Sequence, residues 1–193
     1  MLMSRDLKDR LNEILPTIVS DSFLSGRGLG NEIAFHVFDY PPDQELRVRD
    51  HIQFLLKHAP KKRPELKLIH IDLLDFVIDY LEDRKLLDKV YKMQREKGDA
   101  HTLKKVEPLL HPDKLKDRFA LKVKPEEHDL VLVSGVGSVY PLLRGHSLLN
   151  NLHPVMGRTP LIMFYPGGYD GKSLRMFNKL KSRNYYRAFR LAP

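Results

Sequence analysis

The sequence predicts an α/β protein: a mainly parallel sheet of about five strands flanked by helices, a degenerate P-loop- or Rossmann-like core carrying a helical insertion. Two observations predict it. Short runs of strand formers alternate with amphipathic segments of helical length, the pattern of a parallel sheet covered on both faces. Residues 129–138, DLVLVSGVGS, stop at a glycine turn and lead into a segment of helical length. Strand, glycine turn and helix in that order make a βα corner, where α/β proteins usually place ligands.

The elements follow in order. Leu7, Leu11, Ile14 and Leu15 share one face of a first helix, with Ser4 as its cap and Pro16 as its end or kink. A glycine-rich loop over 25–30 leads into a strand over 32–40. The next helix spans 43–58, with Asp43 as cap and Leu46, Ile52, Leu55 and Leu56 inside. A basic turn at 61–64 precedes a strand over 66–71. Residues 72–123 are helical, with apolar stripes on Leu73, Phe76, Val77, Tyr80 and Leu81, then Leu86 to Met93, Leu103 to Leu110, and Leu115 to Val123. Gly98 and Pro112 interrupt them. These helices form an insertion between two strands of one sheet, being too few to bury a core alone. Strands are expected at 130–134, 160–165 and 185–191, with helices at 139–152 and 171–181.

At 193 residues the chain fits a single domain over 1–193, and 42% hydrophobic content suffices for a core. There is no cysteine, which excludes disulfides and cysteine-based zinc or redox sites. No apolar run approaches the roughly 20 residues that span a bilayer, and the charged N-terminus lacks the apolar stretch of a secretion signal. A cytoplasmic protein without a membrane partner is expected. The net charge is +8, and after Asp170 seven basic residues follow with no acidic one. Such a block suits nucleic-acid phosphates or an acidic protein face, and equally a solvated edge.

No GxxxxGK[ST] string occurs, so there is no Walker A loop. The first strand instead runs into FDYPPD, where two prolines remove donors and Asp39 and Asp43 repel phosphate. The turn Ser134, Gly135, Val136, Gly137, Ser138 suits an anion better, since glycines allow close backbone approach and a helix follows. It carries neither the lysine nor the acid of a nucleotide enzyme, and GxG alone is a weak dinucleotide signal. Ser147 with His146 or His153 lacks a GxSxG elbow, and no carboxylate lies near for a metal. Carboxyl-end loops of a parallel sheet share one rim, so SGVGS and YPGGYDG are expected to face each other across a cleft. Tyr165, Tyr169, Lys172, Arg175, Lys179, Arg183, Tyr185 and Arg187 form the candidate exposed surface for a protein or nucleic-acid partner. No complete catalytic set, metal site or cofactor site is found.

Five segments carry a resemblance: MSRDLKDRLNEILP, GLGNEIAFHVFDYPP, EEHDLVLVSGVGSVYPLLRGHSLLNNLHPVMG, TPLIMFYPGGYDGKSLRMFNKL and NYYRAFRLAP. Together they resemble the BrxB family of BREX anti-phage defence systems over nearly the whole chain. The resemblance implies a small cytoplasmic, non-enzymatic accessory or scaffolding component that associates with the alkaline-phosphatase-like protein PglZ. It brings no established catalytic residues and no cofactor. Two alternatives from other classes stand beside it: a nucleotide-binding protein using the SGVGS turn, and a subunit contacting DNA through the basic C-terminal segment.

Overall fold

The computed structural model describes residues 6–25, 34–181 and 188–193. Helix α1 (Leu7–Ile18) is capped by Asp6, whose carboxylate accepts from the Lys8 amide, and buries Leu7, Leu11, Ile14, Leu15 and Ile18. The predicted cap, Ser4, lies outside the described residues. Pro16 does not end the helix, which continues to Ile18, because proline removes its own N–H without forbidding the bonds that follow. A single-turn α2 (Asp21–Leu24) follows. Most of the predicted glycine loop lies outside the described residues, and β1 (Phe35–Tyr40) begins later than expected.

Pro42–Gln44 forms a 3-10 turn before α3 (Glu45–Lys62), so Asp43 sits in the turn and does not cap the helix. The buried set of α3 is Val48, Ile52, Leu55 and Ala59, a regular stripe at spacings of four, three and four. Leu46 lies two residues off that stripe and is 76% exposed, against expectation. Strand β2 (Leu68–Asp72) leads into α4 (Leu73–Asp83), α5 (Leu87–Val106), a 3-10 turn and α6 (Pro112–Val123). The predicted stripes of α4 and α6 are buried, with Phe76 and Phe119 edge to face. Helix α5 is broken at Gly98, whose φ of 77° is not helical.

After β3 (Leu130–Ser134) the predicted helix over 139–152 divides into α7 (Val136–Val139) and α8 (Gly145–Met156). Pro141, joined to Tyr140 by a cis bond, offers no N–H to carry a helix onward. Strand β4 (Leu161–Tyr169) runs through the Pro-Gly-Gly segment that was expected to end it. The helix predicted over 171–181 is instead a hairpin, β5 (Leu174–Met176) and β6 (Leu180–Lys181). Leu174 and Met176 are buried and Arg175 is exposed, a period of two set by antiparallel pairing with Gly167, Gly168 and Tyr169. Of the final predicted strand, β7 (Phe189–Arg190) is described.

The sheet runs β2-β3-β4-β1-β7, and each of these neighbours is parallel. Alternate strand residues divide between two cores. Phe35, Val37, Val131, Val133, Leu161 and Met163 face the core shared with α4, α6 and α8. Phe38, Tyr40, Leu130, Leu132, Ile162 and Phe164 face α1 and α3. From β2, β3 and β4 the chain always moves toward β1 and β7, whereas from β1 it returns to β2. The strand order therefore reverses between β4 and β1, with α3 on one face of the sheet and α4, α6 and α8 on the other.

Candidate functional site

The parallel register brings Asp72 of β2 opposite Ser134 of β3, at the carboxyl edge of the sheet. Asp72 caps α4: its Oδ1 accepts from the Leu74 amide at 2.9 Å and from the Asp75 amide at 3.4 Å. Its Oδ2 accepts from Ser134 Oγ at 3.1 Å. His70 Nε2 lies 2.8 Å from the same Oγ. The single serine proton serves the Asp72 carboxylate or an unprotonated His70 Nε2, according to the imidazole tautomer. Burial lowers the pKa of His70, against the opposing charges of Asp72 and Asp75.

Gly135 holds a left-handed φ of 72°, and a Cβ there would stand 2.4 Å from Asp72 Oδ1. The space beside the glycine turn is thus filled by the protein's own carboxylate. A Cβ on Gly137 would stand 2.9 Å from Pro166 Cγ. The SGVGS and YPGGYDG segments therefore pack in contact at this point, not across a cleft. Ser138 Oγ accepts from Arg49 Nη2 at 2.8 Å, while Arg49 Nε donates to Glu45 Oε1 at 2.8 Å. Tyr40 donates to the other oxygen of Glu45, so β1, α3 and α7 are tied through one chain of polar groups. Burial and the adjacent Glu45 carboxylate raise the Tyr40 pKa.

Arg49, His70, Asp72 and Ser134 line an open cleft of about 420 Å³ together with Gln53, Asp75 and Lys122. Lys122 pairs with Asp79. The geometry does not suit covalent catalysis. A nucleophilic serine needs a base that accepts its proton and a third group that orients that base. Here, among the described residues, no third group hydrogen-bonds His70 to orient it, and the carboxylate beside Ser134 is already held by two helix amides. Among the described residues no group of three or more His, Cys, Asp or Glu is arranged to hold a metal ion.

A second corner is also occupied from within. Asp39, expected to repel phosphate at the end of the first strand, is a buried strand residue whose carboxylate accepts from Arg10, from Arg190 through two nitrogens, and from the Tyr169 amide. Arg10 also donates to the Asp39 carbonyl and to the Ala192 carbonyl. Sequence reasoning missed Asp39, Arg49, His70 and Asp72. Only Asp72 left a local signal, an acid directly before an apolar helical stripe.

The candidate partner surface is divided. Tyr165 and Tyr169 are each 3% exposed, not surface residues. Because β4 stays extended, its odd-numbered positions keep facing the core, and the Tyr169 hydroxyl donates to the Ala188 carbonyl. Lys172, Arg175 and Lys179 are exposed. Arg183, Tyr185 and Arg187 lie outside the described residues. Arg190, one of the seven late basic residues, is spent on Asp39.

No helix among the described residues is long and apolar enough to cross a membrane. The family model described as BREX protein BrxB matches residues 69–191. A "BREX protein BrxB" of Escherichia coli O9:H4 (strain HS) is 41% identical over 97% of this chain and 92% of its own length. A second, from Bacillus cereus (strain H3081.97), is 39% identical over 97% of this chain and 98% of its own. No solved structure matches the chain.

Proposed function

This chain belongs to the BrxB family of BREX proteins, and from that membership we propose that it is a non-enzymatic assembly subunit that docks PglZ in the cytoplasm. The observation that carries the reading is the Asp72 carboxylate lying against Gly135. A phosphate at that turn would meet a fixed negative charge in the position it needs. The second corner is filled by the Asp39 carboxylate and the two arginines that enclose it. With the glycine turn and the Asp39 corner filled from within, the outer faces, including the open cleft beside Asp72, are left for partners. Leu46 and Phe54 are large apolar side chains that α3 leaves exposed, residues of the kind that anchor a partner.

Co-expression with PglZ tests this. A complex that survives moderate salt is expected, and Leu46→Arg should weaken it without changing the melting temperature. ATP or GTP should leave that temperature unmoved. A clear nucleotide-dependent rise, or failure of PglZ to co-purify, overturns the reading.

A further inference from the structure

Helix α5 is the element the rest of the protein leaves uncovered. Only Thr102 and Val106 of its residues are buried, with Leu87 and Val90 partly packed on the core at its other end. Residues 91–100 are exposed except for half-buried Met93. A helix that is polar nearly all round needs another reason to exist than core packing.

Its charge supplies one. Residues 84–124 hold 13 Lys and Arg against 6 Asp and Glu, a net of +7, whereas residues 1–83 hold 11 against 15. The neighbouring helix spends its own charges locally: Arg118 pairs with Asp83 and Lys122 with Asp79. Lys85, Lys89, Arg95, Lys97, Lys104 and Lys105 are different. All six are exposed, and among the described residues none of their side chains makes a hydrogen bond or ion pair. Lys89, Lys92 and Arg95 follow one another at spacings of three along the helix, and Lys92 has only a 3.9 Å pairing with Glu96.

We propose that α5, with the turn that precedes it, is a contact surface for the phosphate backbone of duplex nucleic acid. An acidic protein is the competing occupant. Protein interfaces deplete lysine at their centres and anchor on apolar or aromatic groups. On α5 the one large exposed hydrophobic is Tyr91. A phosphate backbone, by contrast, is held by unpaired Lys and Arg with no apolar anchor, and without regard to sequence.

The test is fluorescence anisotropy with a labelled duplex DNA of arbitrary sequence, from low to physiological salt. The full chain should bind at low salt and lose affinity linearly in log salt concentration. Combining Lys89→Gln, Arg95→Gln and Lys97→Gln should weaken low-salt binding by about tenfold or more and flatten the slope by about 3, at roughly 0.9 for each phosphate no longer neutralised. The charge-preserving set Lys89→Arg, Arg95→Lys and Lys97→Arg should bind as the parent does. Absence of binding at low salt overturns the proposal. So does an unchanged slope in the glutamine variant, which would move the binding surface to the basic C-terminal segment. Loss of PglZ capture by the glutamine variant, with DNA binding intact, would assign the surface to a protein instead.

Discussion

His36 is an imidazole in an apolar setting, on β1 between the rings of Phe23 and Phe189 at centroid distances of 4.6 and 5.7 Å. It is 7% exposed, and its Nε2 has no hydrogen-bond partner among the described residues. Burial pushes its pKa down to about 4. The folded state therefore binds no proton where the unfolded chain, with an ordinary pKa near 6.5, already does. Stability is undiminished above pH 6.5 and falls as pH drops toward 4, by about 2 kcal/mol at pH 5 from this group alone. Burial lowers His51, His70 and His153 as well, and they act in the same direction. The group is isolated by difference: urea unfolding of His36→Leu between pH 7 and pH 5 should show a shallower decline than the parent. Parallel curves would mean that His36 does not stay neutral in the fold.

At the scale of elements, the β3–α7 corner is held by a fit between Gly135 and Asp72. Gly135→Ala adds a Cβ 2.4 Å from the carboxylate at a left-handed φ, for an expected loss of about 3 kcal/mol in chemical denaturation. Asp72→Ser keeps a helix cap and removes most of the obstruction, so Gly135→Ala should cost about 1 kcal/mol in that background. Equal costs in the two backgrounds would show that the carboxylate does not fill the turn. The corner itself was legible, since strand formers and a glycine pair are local signals. What fills it was not, because Asp72 lies 62 residues from Ser134. Residues 171–181 misled for a related reason. Leu174, Phe177 and Leu180 recur at a helical spacing of three while Leu174 and Met176 alternate as in a strand, and only pairing with the end of β4 decides between them. The position of β4 depends in turn on the Pro-Gly-Gly segment staying extended, which its composition argues against.

On the scale of the whole molecule, the two ends of the chain close on one buried carboxylate. Arg10 reaches Asp39 from α1 and Arg190 reaches it from β7, across 29 and 151 residues of sequence. No local pattern in FDYPPD shows that this acid is enclosed by two arginines so distant in sequence. The closing segment does three things together. Phe189–Arg190 pairs with the outer side of β1, Leu191 is buried, and the Ala192 carbonyl accepts from Arg10. Deleting residues 188–193 would strip that edge, leave Asp39 with one guanidinium in place of two, and expose unpaired β1 backbone. The truncated protein should lose more than about 3 kcal/mol in urea and aggregate more readily. A second substitution separates the ion cluster from simple loss of packing. Asp39→Asn should cost about 3 kcal/mol in the full chain, because two arginines then face a neutral group, and distinctly less in the truncated one, where Arg190 is already gone. If Asp39→Asn costs the same in both, Arg190 contributes packing alone, and the two ends are not joined through their charge.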